Sequence, residues 1–192
     1  MKHGVFLMIA GMFLLAGSLS CKRHYQPKPH GYYRITFPEK EYVRYEGSCP
    51  YTFEYPVYAR VVKDPEPDAE PCWVNLDFPT LHGRVHITYK DVRGNLGRML
   101  EDTYDLAYKH TVKADAIRER AFRDTVRKVY GILYDIRGNT ASNVQFYLTD
   151  STRHFLRGAL YFDCEPNKDS LAPVVDFIRK DIIHLIETFS WK

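Results

Sequence analysis

Residues 170–192, SLAPVVDFIRKDIIHLIETFSWK, contain the pattern that decides the fold class. Apolar residues recur there at intervals of three and four, which is typical of a helix with one buried face. Ser170 is the predicted cap, and Pro173 falls in the first turn, where proline is tolerated. The buried stripe comprises Leu171, Val174, Val175, Ile178, Ile182, Leu185, Ile186 and Phe189. A stripe of this width has to pack on a sheet.

Alternating apolar and polar residues predict the strands of that sheet. The first strands are predicted at residues 32–37, 51–62 with a break at Pro56, 73–78, and around Val85, Ile87 and Tyr89. A helix is expected from its cap Asn95 to about His110. A β-meander then follows over residues 126–136, 143–149 and 155–163, with turns at 137–139 and 150–152.

These elements predict an α+β fold in a single domain, with a mostly antiparallel sheet covered by helices and a C-terminal amphipathic helix. The order of elements, with an aromatic strand leading into the long last helix, resembles the Mog1/PsbP-like fold. Domains of that fold are mostly adaptors, so the resemblance implies a binding role more than a catalytic one.

The N-terminus has the features of a lipoprotein export signal. Lys2 and His3 precede an apolar run at residues 5–19, and Ser20 supplies the small residue that signal peptidases need before Cys21. The run is shorter than the roughly 20 residues that cross a bilayer as a helix. We predict a signal peptide at 1–20, a covalent lipid on Cys21, an extended tether at 21–31 and the folded domain at 32–192. The alternative is a cleaved secretory signal, with Cys21 an ordinary thiol.

The other cysteines would lie in a compartment where disulfides form. Cys49 and Cys72 flank the strand at 51–62 in turn-like or strand-edge contexts, and we predict that they pair. Cys164 is in phase with Leu160 and Phe162, which predicts a buried, unreactive thiol. The formal net charge is +3 with acids and bases interspersed, so no nucleic-acid partner is expected.

The sequence has no recognisable catalytic or metal-binding pattern. His82 and His86 share a predicted strand face but would lie about 13 Å apart, too far to hold one ion. Serine, histidine and aspartate residues cluster without a Gly-x-Ser-x-Gly elbow: Ser142, Ser151, His154, Asp135 and Asp150. A surface charge cluster is predicted from Lys180, Asp181, His184 and Glu187. We expect no enzyme activity, no metal and no cofactor other than the lipid.

Five segments run through the predicted tether and domain: PKPHGY (27–32), KHTVKA (109–114), VYGILYDIRGNTAS (129–142), QFYLTDST (145–152) and KDIIHLIET (180–188). Together they resemble the gliding-motility lipoprotein family GldD of Bacteroidetes. The resemblance implies a membrane-anchored, non-catalytic accessory protein of the gliding motility and type IX secretion machinery. Its implied role is to assemble or stabilise partner lipoproteins of the envelope.

The residues after Cys21 bear on the location of the domain. Surface lipoproteins of this phylum commonly carry acidic residues there, whereas this chain has Lys22, Arg23 and His24. We therefore expect a lipid-anchored protein of the outer membrane whose domain faces the periplasm.

The polar turns of the meander are the predicted partner-binding surface, because the family resemblance is densest there and core packing does not require it. The candidate residues are Asn139, Ser142, Asp150, Arg153, His110 and Lys113. The two turns are expected at opposite ends of strand 143–149, so that only one can adjoin residues 109–113. Alternatively, Asn139, Ser142 and Asp150 satisfy the backbone of their own turns.

Two other functions stay open from the sequence. A periplasmic ligand-binding lipoprotein would have a tyrosine-lined pocket with converging polar groups. A hydrolase would have a Ser–His or His–acid pair within hydrogen-bonding distance.

Overall fold

A computed structural model of the chain describes residues 35–164 and 167–192. The predicted signal peptide, Cys21 and the tether at 21–31 lie outside the described residues. The first strands are β1 (Tyr42–Tyr45), β2 (Tyr51–Pro56), β3 (Arg60–Lys63), β4 (Val74–Phe78) and β5 (Gly83–Asp91). They are followed by α1 (Leu96–Tyr108), β6 (Ala114–Asp124), β7 (Val129–Gly138), β8 (Ser142–Thr149), β9 (His154–Phe162), α2 (Lys168–Thr188) and β10 (Ser190–Trp191).

The strands form two antiparallel sheets. The larger sheet has the order β3-β4-β5-β9-β8-β7-β6, and the smaller has the order β1-β2-β10. Strands β3 to β5 form one half of the larger sheet, and β6 to β9 form the other half. The two halves join where β9 of the β8–β9 hairpin pairs with β5. This arrangement confirms the predicted α+β class with a mostly antiparallel sheet.

The main core lies between α2, the larger sheet and β2. Ile178, Ile182 and Leu185 of α2 have no exposed surface, and they belong to one apolar cluster with residues of both sheets. Phe146 and Leu160 are two of the residues that the larger sheet contributes to that cluster. The apolar stripe predicted for the last helix is therefore the stripe that the domain buries.

Helix α1 covers part of the opposite face of the larger sheet. Adjacent strand residues point to opposite faces, and Leu133 joins the main core while Tyr134 does not. Tyr134 and Ile136 instead pack against Ala107 of α1. This second cluster is small, so the α1 side of the sheet is less completely covered than the α2 side.

Several predicted boundaries are wrong. Residues 35–37 form no strand, and the first described strand is β1. Strand β6 was not predicted, because its exposed, charged sequence ADAIRERAFRD does not alternate between apolar and polar. The cap of α2 is Asn167, whose Oδ1 accepts the amides of Asp169 and Ser170 at 3.2 Å, so Ser170 lies inside the helix.

The structure joins Cys49 and Cys72 in a disulfide, with their Cα atoms 5.4 Å apart. Cys164 differs from its prediction, since it is an exposed free thiol. Strand β9 ends at Phe162, so the alternation that would bury Cys164 stops before it reaches that residue.

Candidate functional site

The turn between β7 and β8 borders a cleft of about 290 Å³. We call it the turn cleft, and the first turns of α2 form its other wall. The charged and polar residues that line it include Asp115, Asp135, Arg137, Thr140, Asp176 and Arg179. The sequence predicts a partner-binding role for this turn, but the pattern of apolar and polar residues does not indicate that the start of α2 lies beside it.

Asn143 holds the turn together from inside. Its Nδ2 donates to the carbonyl oxygens of Ile136 at 3.1 Å and Gly138 at 3.4 Å, and to Oγ1 of Thr140 at 3.1 Å. Ser142 beside it has no exposed surface, and its hydroxyl donates to the carbonyl of Val144. The expectation that Ser142 contributes to a partner-contacting surface is therefore wrong, because the side chain satisfies the backbone instead.

Gly138 brings the turn against the start of β6. Its φ is +119°, and a Cβ atom there would lie 2.6 Å from the carbonyl oxygen of Lys113. Lys113 in turn donates its amide to the carbonyl of His110 at 2.9 Å. The exposed side chains of Asn139 and Lys113 consequently lie at the same end of β8 as the segment that contains His110.

Ion pairs connect the two walls of the turn cleft. Arg179 donates through Nη1 to Oδ1 of Asp135 at 2.9 Å, and it also pairs with Asp176. Nε of Arg137 lies 3.6 Å from Oδ2 of Asp135. Both arginines of the cleft are thus paired with aspartates, and because four aspartates and two arginines line it, the cleft is net acidic.

The turn between β8 and β9, at the other end of β8, is built around Asp150. Oδ1 of Asp150 accepts the amides of Thr152 at 2.9 Å, Arg153 at 2.8 Å and His154 at 2.9 Å. Burial alone would raise the pKa of Asp150, but these backbone donors outweigh it and lower the pKa to about 2. Asp150 thus shapes the turn, and Arg153 is exposed there, as are Ser151 and Thr152.

Asp181 is a buried carboxylate that the sequence placed in a surface cluster. It is 1% exposed, and its Oδ1 lies 2.6 Å from Nζ of Lys40. The hydroxyls of Tyr42 and Tyr58 donate to it at 2.9 Å and 2.7 Å. The surface prediction is wrong for Asp181, because the segment that contains Lys40 folds over this side of α2.

The other members of that predicted cluster have surface partners. Nε2 of His184 lies 2.9 Å from Oε2 of Glu54, and Arg120 pairs with Glu187 at 3.2 Å. The His184–Glu54 contact is a His–acid pair, but no hydrogen bond joins a serine hydroxyl to a histidine ring within residues 35–164 and 167–192.

The residues considered for a serine hydrolase lie in two groups at opposite ends of β8, with Asp135 and Ser142 at one end and Asp150, Ser151 and His154 at the other. Ser142 is buried in its turn, and Asp135 is paired with Arg179. Nδ1 of His154 lies 2.8 Å from the Tyr89 hydroxyl. His82 lies outside β5, which begins at Gly83, and in the described part of the chain no three His, Cys, Asp or Glu residues form a metal-binding group.

Comparisons with known proteins bear on the family and on the fold. The model of a family described as "Gliding motility lipoprotein GldD" matches residues 22–191. The solution structure of cyanobacterial PsbP from Synechocystis sp. PCC 6803 is similar, with a TM-score of 0.51 and 11% identity. The similarity covers 83% of this chain and 98% of that one, which confirms the predicted PsbP-like fold. A search of the curated proteins gave no match.

Within the described ranges, neither α1 nor α2 combines the length and apolar character that crossing a bilayer requires.

Proposed function

The chain belongs to the gliding motility lipoprotein GldD family, and on that premise we propose that it is an accessory component of the gliding motility and type IX secretion machinery. In this role it assembles or stabilises partner lipoproteins of the envelope and performs no catalysis. The observation that carries the proposal is the family match, which begins at residue 22, directly after Cys21. A lipid on Cys21 anchors the domain to the outer membrane, where it faces the periplasm.

The proposed partner surface is the end of β8 where the turn cleft meets the start of β6. Asn139 and Lys113 are exposed there, His110 is partly exposed, and the scaffold beneath is held by Asn143. Exposed polar side chains on a rigid turn suit recognition better than core packing. Arg153, on the turn that Asp150 shapes, is a secondary candidate at the other end of β8.

Depletion and complementation in the native organism test this function. Depletion should lower the amounts of other gliding lipoproteins in the membrane fraction and reduce type IX secretion. Wild-type protein should restore both, and Cys21→Ala should restore neither, because the domain is released from the membrane. Cys164→Ala is the matched control and should behave as wild type, since this thiol is exposed and unpaired. Unchanged lipoprotein amounts and secretion after depletion would contradict the proposal.

A further inference from the structure

A second cleft, of about 450 Å³, lies between α1 and the larger sheet. Tyr104 of α1, Tyr134 of β7 and Tyr147 of β8 line it, and Glu101 and Asp105 stand on the α1 side. We call this the tyrosine cleft. Leu100 and Ile132 complete its lining, which contains no lysine or arginine.

The secondary structure explains why the three tyrosines line one cleft. Residues 101, 104 and 105 are three or four positions apart and share one helix face. On the sheet, Tyr147 is directly opposite Ile132, two residues from Tyr134 on the same face of β7. Tyr104 is further supported by Tyr108, whose ring is stacked on it with centroids 4.2 Å apart.

One wall of the tyrosine cleft is a side chain that is almost wholly buried except where its hydroxyl reaches the cleft. Tyr134 is 2% exposed and lines the cleft, yet it makes no hydrogen bond to any residue in the described ranges. Burial, with smaller effects from Tyr147 and Glu119, raises the pKa of Tyr134 to about 12. Its hydroxyl is therefore neutral at physiological pH and can either donate or accept. A hydroxyl on the wall of an open cleft that has no protein partner is free to hydrogen-bond with a group that enters the cleft.

The carboxylates at the cleft are also unmatched. Glu101 and Asp105 are exposed, and neither forms an ion pair with a residue that the structure describes. Glu119 lies nearby and accepts the hydroxyl of Tyr108 at 3.0 Å. The lining of the cleft therefore combines aromatic faces with negative charge and includes no lysine or arginine. Arg157, opposite Tyr147 in the β8–β9 register, lies outside this lining and donates to Oε1 of Gln145.

We propose that the tyrosine cleft binds the cationic side chain, arginine or lysine, of a protein partner. Aromatic faces attract cations, and the two carboxylates supply the opposite charge. The cleft is open to solvent, with Tyr104 45% exposed, which suits a side chain that projects from a larger molecule. This inference rests on the proposed function, because it supplies the chemistry by which a protein partner is recognised.

Titration of the full-length protein in a non-ionic detergent tests the site, since zwitterionic detergents carry a competing ammonium group. The probes are N-acetyl-arginine methylamide, N-acetyl-lysine methylamide and the neutral N-acetyl-norleucine methylamide. Tyrosine ring signals are followed by NMR. Both cationic probes should shift the signals of Tyr104, Tyr134 and Tyr147 saturably and bind about tenfold more tightly than norleucine. Equal binding of norleucine, or no saturable shift, would overturn the proposal.

Two pairs of substitutions identify the source of the selectivity. E101Q with D105N should weaken the cationic probes about tenfold and leave norleucine unchanged. The matched control, E66Q with D68N, changes two exposed carboxylates of the β3–β4 loop and should leave every probe unchanged. Tyr104→Leu is a further variant, which keeps an apolar side chain and should reduce only cation binding. Equal losses in the control pair would contradict a specific site.

Two more measurements separate the alternatives. Phosphoethanolamine, as a lipid headgroup, should bind more weakly than the peptide-like probes; tighter binding would assign the cleft to lipid and overturn the proposal. The titration uses no partner lipoprotein, so its failure is distinguishable from failure of the depletion experiment. Cation binding with unchanged lipoprotein amounts would reject the proposed function and leave the site in place.

Discussion

The contacts around Asp181 show how a few side chains hold residues 37–42 against α2. Besides its pairing with Asp181, Lys40 has its Nζ 3.6 Å from the ring centroid of Phe177, and Phe37 stacks on that ring at 4.3 Å. Tyr42 adds a second contact by stacking on His184. Removing one partner of a buried ion pair generally costs several kcal/mol, because the other charge is left unpaired. These contacts therefore hold residues 37–42 firmly against the helix.

The environment of Asp181 could not be predicted, because its partners are distant in sequence. Lys40, Tyr42 and Tyr58 lie 141, 139 and 123 positions away. Periodicity identifies which helix positions are apolar, but a polar position inside the helix gives no signal of what folds over it.

Asp150 provides a residue-scale prediction about stability. Asp150→Ala removes the acceptor for three backbone amides and should lower the free energy of unfolding by about 2 kcal/mol. Asp150→Asn keeps one acceptor oxygen and should lose about half as much. Urea unfolding at neutral pH measures both. Equal stability of wild type and Asp150→Ala would contradict the structural role of this side chain.

The same carboxylate gives a pH dependence with a defined sign. The folded-state pKa of about 2 lies below the unfolded value of about 3.9. The stabilisation is therefore present above about pH 4 and lost as the pH falls through about 2. Over that interval wild type should lose more stability than Asp150→Ala, and parallel curves for the two proteins would contradict the assignment.

At the scale of elements, the start of α2 provides a matched pair of substitutions. Asn167→Ala should cost about 1 kcal/mol, because its Oδ1 accepts two amides of the first turn. Ser170→Ala should be nearly neutral, since the serine lies within the helix. Thermal unfolding distinguishes the two variants. A larger loss of stability for Ser170→Ala would show that Ser170 is the cap, as the sequence predicts.

A helix or strand could be predicted from the sequence where one of its faces is buried, and it could not be predicted where both faces are exposed. The stripe of α2 and the alternation in β5 identified both correctly, because Ile178 and Val85 belong to faces that exclude water. In β6, an edge strand, Arg118, Glu119 and Arg120 are all exposed. Charges on an edge strand discourage further pairing, and they also remove the periodic signal on which a strand prediction depends.

For the whole molecule, the two faces of the larger sheet differ in how completely they are covered. The α2 face is closed by the main core and by the segment that contains Lys40, whereas the α1 face keeps the tyrosine cleft. The fold class was predictable, since few architectures bury one long helix on an antiparallel sheet. The tyrosine cleft was not, because only the tertiary structure brings Tyr104 and Tyr147 to the same cleft. Among the residues predicted for a partner surface, Asn139 and Lys113 are exposed and Ser142 is buried, because periodicity does not tell which turn residues face inward.

The last prediction concerns which end of β8 contacts a partner lipoprotein. Asn139 and Lys113 lie at one end, near Val112, which is 91% exposed, and Arg153 lies at the other. Asn139→Ala with Lys113→Glu should leave the melting temperature within a few degrees, as exposed substitutions of roughly 0.5 kcal/mol each would. The pair should nevertheless lower crosslinking to partner lipoproteins several-fold in cells, because it reverses a charge at the proposed contact. Arg153→Glu tests the secondary candidate at the other end and should lower crosslinking less than this pair does. A loss confined to Arg153→Glu would move the contact to the opposite end, and full crosslinking by both variants would exclude these turns as the partner surface.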